Sequence, residues 1–180
     1  MVGRDPLKVV ILVRIQVPQQ IMKERNTEKA FRWIIGLLDK HRIPFQIAGG
    51  FAARLYGSER ELADIDIGIP DNRFDELYPD VKDYIVFGPE RYLDDEWDVK
   101  LMTLTCEGQE IDIAGEDDIK IFDKENKIWV SGRQDLSTGE KMEVYGLTVP
   151  VIPKDALIAY KKKIMREVDR LDLLALEKQS

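Results

Sequence analysis

The chain has 180 residues, 44% of them hydrophobic, which suits one cored domain with an appendage. A formal net charge of −7 argues against broad electrostatic binding to DNA or RNA, which relies on Lys and Arg displacing counterions; it leaves room for a local basic groove. One cysteine and one histidine exclude an internal disulfide framework and argue against a zinc site. No stretch has the length of a membrane span. The apolar run Leu7 to Val17 is interrupted by Arg14 and has no small-residue cleavage site after it, so the expected location is cytoplasmic.

Three segments are expected: an N-terminal extension (1–25), a main domain (26–150) and a C-terminal helical segment (151–180). In the first, LKVVILVRIQV fits an added strand, a swapped arm or a leader. Asn26 or Thr27 then caps a helix. Ala30, Phe31, Ile34, Ile35, Leu37 and Leu38 recur at helical spacing and form its buried stripe. Trp33 lies off that stripe, at the surface or against a partner. His41 follows the helix and is expected at its C-terminus.

Ile43 to Ala48 reads as a strand, Gly49-Gly50 as a turn, and Phe51 to Tyr56 as a short helix that Gly57 ends as the C′ residue. Such a strand–glycine–helix join is either a plain turn or an anion site that a phosphate would fill. Asp64-Ile65-Asp66-Ile67 follows. Side chains alternate along a strand, so Asp64 and Asp66 share one face and the two isoleucines pack on the other. Two adjacent carboxylates repel. Either water at a strand end or a bound cation compensates, and hard oxygen ligands suit Mg²⁺.

Asn72 is expected to cap a helix running to Leu77, Tyr84 to Phe87 to form a strand, and Gly88 to Trp97 a polar loop. Asp98 to Cys106 and Gln109 to Ala114 alternate around Glu107-Gly108 and read as a hairpin, with Cys106 a small buried hydrophobe. Ile128 to Val130 and Met142 to Val149 are expected strands. Pro153 opens a helix whose stripe is Leu157, Tyr160, Ile164, Val168 and Leu171. Lys161 lies on or beside this stripe, and either meets an anionic partner or snorkels to the surface.

Gly49-Gly50, thirteen intervening residues and then Asp64-Ile65-Asp66-Ile67 resemble the signature of the nucleotidyltransferase superfamily that includes DNA polymerase β. The closing stretch VIPKDALIAYKKKIMREVDRLDL resembles the last helices of small lincosamide-modifying and abortive-infection nucleotidyltransferases. Arg166, Asp169 and Asp172 match there; Val168 replaces a Lys, and no Gly or Pro separates two helices. Either the helix breaks near Met165, or Arg166 and Asp169 form only a surface pair.

The resemblance implies an α/β fold with a small mixed sheet, packed helices and a helical tail. It implies a third carboxylate on a neighbouring strand, which Asp112 supplies, with Glu110 as second choice. Asp64, Asp66 and Asp112 would bind Mg²⁺ and be catalytic. Gly49, Gly50 and Ser58 would hold the phosphates of a nucleoside triphosphate such as ATP, and Lys161 would add positive charge. Arg91 and Tyr92 would border an acceptor site. The implied reaction moves a nucleoside monophosphate from an NTP to a hydroxyl on a small molecule, an RNA or a protein. A homo-oligomer or a partner chain is compatible with the sequence. The competing reading is a non-catalytic nucleotide-binding or antitoxin-like regulatory module.

Overall fold

A computed structural model describes residues 25–178, so the reading of residues 1–24 lies outside the described part. The fold is α/β, built on one mixed sheet of nine strands. The elements run α1 (Thr27–Lys40), β1 (Gln46–Ile47), α2 (Gly49–Leu55), β2 (Asp64–Ile69), α3 (Phe74–Val81), β3 (Ile85–Leu93), β4 (Trp97–Cys106), β5 (Gln109–Gly115), β6 (Lys120–Asp123), β7 (Ile128–Ser131), β8 (Glu140–Val144), β9 (Leu147–Val151), α4 (Lys154–Ile164) and α5 (Glu167–Lys178). The strand order is β7-β6-β4-β5-β2-β1-β9-β8, and β3 pairs with β4 off this path.

Asn26 caps α1 by accepting from the Lys29 N–H at 2.9 Å, and Ala30, Phe31, Ile34, Ile35 and Leu38 are buried along its length. That stripe packs with Ile65 and Ile67 of β2 and Ile111 and Ile113 of β5 in the main core, which also takes in Leu157 and Leu176 from the last two helices. The alternation in β2 and β5 therefore does what period two requires: isoleucines go under the sheet and carboxylates over it. At the β4–β5 turn both Glu107 and Gly108 have positive φ (51° and 71°), the backbone twist that a two-residue hairpin favours. Trp33 is partly buried and packs on Tyr84 with ring centroids 4.6 Å apart. His41 sits at the α1 C-cap, with its imidazole on Asp80.

Several expectations are corrected. The first strand shrinks to Gln46–Ile47, and the glycine pair is the first turn of α2 rather than a turn before it. Gly57 ends α2 as expected: its N–H reaches Arg54 O and the Ser58 N–H reaches Ala53 O, both at 2.9 Å, with φ of 101° at Gly57. Asn72 caps nothing, because a 3₁₀ turn at Asp71–Arg73 leads into α3 without a side-chain cap. The expected polar loop from Gly88 to Trp97 is mostly strand. β3 continues to Leu93, and β4 starts at Trp97. Its polar side chains face outward while β4 satisfies its backbone, and Asp94 closes the turn by accepting from the N–H groups of Glu96 and Trp97.

The last helix breaks at Met165, which takes a left-handed conformation (φ 49°) and separates α4 from α5. The stripe expected across both is therefore interrupted. Leu171 is 53% exposed, and α5 buries Asp169, Asp172, Leu173 and Leu176 instead. Among the described residues, no helix is long and apolar enough to cross a membrane.

Candidate active site

β2 and β5 lie side by side and parallel, with Asp66 opposite Asp112 and Asp64 opposite Glu110. The register puts Asp64, Asp66 and Asp112 on one face, and a carboxylate oxygen from each lies within 4.8 Å of the others. They form part of the wall of a cleft of about 510 Å³, whose lining also includes Gly49, Gly50, Arg60, Lys161 and Arg166.

Backbone geometry fixes Asp66. Gly50 donates its N–H to Asp66 Oδ2 at 2.9 Å, and a Cβ on Gly49 would lie 1.9 Å from that oxygen. The glycine pair thus makes room for the carboxylate. Asp112 accepts from Thr103 Oγ1 at 2.6 Å across the β4–β5 ladder. Burial raises the Asp66 pKa, and Asp64 and Asp112 raise it further against the Gly50 hydrogen bond and Lys161. Burial also pushes Asp112 up to about 6, with Asp64 and Glu110 adding and Thr103 opposing. Asp66 and Asp112 held this way resist ionisation without a cation, and the hard oxygens of the three acids match Mg²⁺. The donor set therefore fits the ion that the sequence implied.

The cleft is flanked by a network whose central lysine and two acids are buried. Lys161 is 1% exposed and holds Asp169 and Asp172, both at 2.9 Å. It does not snorkel. Arg166 binds Asp169 through Nε at 2.8 Å and stacks over Trp97, 4.6 Å from the ring centroid. Burial pushes Asp169 up, but Arg166 and Lys161 hold it below the ordinary carboxylate value. Ser58 is buried and donates to Asp172 Oδ1 at 2.7 Å, while Arg60 reaches the same carboxylate at 3.3 Å. Ser58 thus lies behind the cleft wall, and Arg60 lines the cleft.

Tyr92 also lines the cleft, whereas Arg91 is an exposed strand residue paired with Asp98. Glu110 lies on β5 outside the group of acids within 4.8 Å. Arg60, Thr103, Trp97, Tyr160 and Glu116 are cleft residues that sequence reasoning passed over. Period two from Glu110 through Asp112 and Ala114 leads to Glu116, so that one was available. Arg60 sits in a run of alternating charges with nothing to single it out.

Three solved structures share this arrangement of elements. A Thermotoga maritima protein described provisionally as a nucleotidyltransferase is 18% identical, with TM-score 0.64 over 84% of this chain and 92% of that one. The lincosamide antibiotic adenylyltransferase LnuA, solved with lincomycin bound, is 18% identical, with TM-score 0.57 over 87% of this chain and 99% of that one. ANT(2″)-Ia, solved in complex with adenylyl-2″-tobramycin, is 15% identical, with TM-score 0.56 over 84% and 88% of the two chains. This chain has the nucleotidyltransferase fold. No protein-family model and no curated protein sequence matches it.

The raised acids make stability pH-dependent. Glu116 is pushed by burial up to about 7 from an ordinary 4.5, with Asp71 and Asp117 adding and the Gln134 N–H and Arg133 opposing. An acid with a raised folded pKa holds its proton longer when folded. Its favourable contribution is complete below the unfolded value and lost as pH rises through the folded one. Metal-free protein is expected to lose stability between pH 5 and about 7.5, by roughly 3 kcal/mol from Glu116 alone. Denaturant midpoints across that window check this. A midpoint that climbs steadily with pH would contradict it.

Proposed function

We propose that this protein is a Mg²⁺-dependent nucleotidyltransferase that moves a nucleoside monophosphate from an NTP to an acceptor hydroxyl. The observation that carries the reading is the set of three carboxylates, Asp64, Asp66 and Asp112, converging from two registered strands beside the glycine pair. These three would hold Mg²⁺, and the ions, when bound, supply charge neutralisation at the phosphoryl oxygens of an in-line displacement.

The remaining work falls to the chain itself. The Gly50 N–H keeps Asp66 aimed into the cleft. Gly49 leaves its side-chain space to Asp66 and Gly50 leaves its own to Arg60, so the pair would hold the phosphates by bringing a metal-binding carboxylate and a guanidinium up to them. Lys161, Arg60 and Arg166 give that flank its positive charge, and Ser58 acts through Asp172 to steady Arg60 and Lys161. Asp112 takes the proton of the acceptor hydroxyl on the oxygen that Thr103 does not engage. The freed oxygen attacks the α-phosphorus, the bond to the β-phosphate breaks, and pyrophosphate leaves with its electron pair.

Incubation with each NTP labelled at the α-phosphate, Mg²⁺ and a pool of small molecules, RNA and protein is expected to give a labelled adduct and pyrophosphate. Chelation of the metal should stop both. A chain that binds nucleotide but never releases pyrophosphate would overturn the reading.

A further inference from the structure

Beside the catalytic acids and the basic flank, the cleft is lined by the apolar side chains Val99, Leu101, Ala114 and Ile119, by Tyr92 and Tyr160, and by one further carboxylate, Glu116. Glu116 is only 6% exposed. Its Oε2 accepts the Gln134 N–H at 2.9 Å, and no cation pairs with either oxygen among the described residues. A buried carboxylate normally has a positive partner or several donors.

A glycine makes its place. A Cβ on Gly68 would lie 2.4 Å from Glu116 Oε1, so any larger residue on β2 would displace the carboxylate. Gly68 has an ordinary φ, so its own backbone does not demand glycine. The same relation holds Asp66 over Gly49. Glu116 and Gln134 are also the residues shared with a second cavity of about 610 Å³, lined by Asp117, Asp135 and Arg133 among others. Glu116 therefore stands where the cleft opens into an outer pocket with more acids than bases.

We propose that Glu116 is the anchor for the acceptor, and that the acceptor is a small molecule carrying a protonated amine beside its reacting hydroxyl. This rests on the nucleotidyl-transfer reading. An ammonium group supplies the charge that the buried carboxylate lacks, the apolar wall covers the carbon frame, and the outer pocket receives further amines. The phosphates of an RNA end would meet Glu116, Asp117 and Asp135 and be repelled.

The test is calorimetric titration of the full chain with spermidine and glucosamine, with glucose as the neutral counterpart. Glu116→Gln keeps the side chain's shape and removes the buried charge, so it is expected to fold. Both amines should bind the parent saturably, glucose should not, and Glu116→Gln should weaken amine binding by about tenfold or more. Unchanged amine affinity in Glu116→Gln, equal binding of glucose and glucosamine, or no amine binding by the parent would overturn the proposal. So would transfer of the α-phosphate label to RNA but to no amine. The two readings fail separately. A parent that binds amines but gives no NTP-dependent melting shift would defeat nucleotidyl transfer and leave an amine site.

Discussion

Asp66→Asn is expected to cut nucleotide transfer by on the order of 10³-fold while leaving the metal-free protein at least as stable as the parent at pH 8. The two effects have one origin. Asp66 is disfavoured as an anion by burial and by Asp64 and Asp112, against the opposing Gly50 N–H and Lys161. Asparagine keeps the oxygen that accepts from Gly50 and removes the repulsion, so the folded state gains. It also loses the charge that would hold Mg²⁺, so the reaction is lost. Below its raised pKa the parent carboxyl is already neutral, so the stability advantage of the variant should be present at pH 8 and shrink by pH 5. Mg²⁺ should stabilise the parent and not the variant. Label transfer and melting curves check both halves; a variant that melts lower at pH 8 and still transfers would remove the argument.

Lys161→Met should cost about 3 kcal/mol or more, a fall in melting temperature on the order of 10 °C for a chain of this size. Lys161 is 1% exposed, and its two partners, Asp169 and Asp172, have fully buried side chains. Removing it leaves Asp169 with Arg166 and Asp172 with Ser58 and Arg60, so each acid loses its most buried counter-charge. A lysine that only snorkelled would cost well under about 1 kcal/mol, the range of exposed ion pairs. Adding Asp169→Asn and Asp172→Asn to Lys161→Met should recover much of the loss, since it removes the stranded charges. Equal stability of Lys161→Met and the parent would show that the network carries no weight.

How much of this was legible follows from the range of each interaction. Asp64, Asp66 and Asp112 could be read because alternation along a strand fixes a face locally, and two alternating acidic strands have one natural pairing. The β4–β5 hairpin was legible for the same reason, with its turn written in Glu107-Gly108. The break between α4 and α5 was legible only as one of two alternatives, because Met165 holds a left-handed conformation that sequence patterns assign to Gly or Asn. Polarity disguised β3, whose backbone is satisfied by β4 while its side chains face water. Ser58 was read as a phosphate contact from the family resemblance. Its partner is Asp172, 114 residues away, and no local pattern announces that. The buried state of Lys161 likewise depends on α5 folding back across α4, which only the break at Met165 permits.

We read the three acids and the glycine pair as a metal-dependent nucleotide site. Its most direct test is the melting temperature of the full chain with each of the four ribonucleoside triphosphates, with and without Mg²⁺, for the parent and Asp64→Asn. At about a hundred times its dissociation constant, the correct nucleotide should add roughly 2.7 kcal/mol to the parent, only with Mg²⁺, and nothing to Asp64→Asn. Millimolar triphosphate that leaves the parent's melting temperature unchanged, or shifts both proteins equally without metal, would contradict the account.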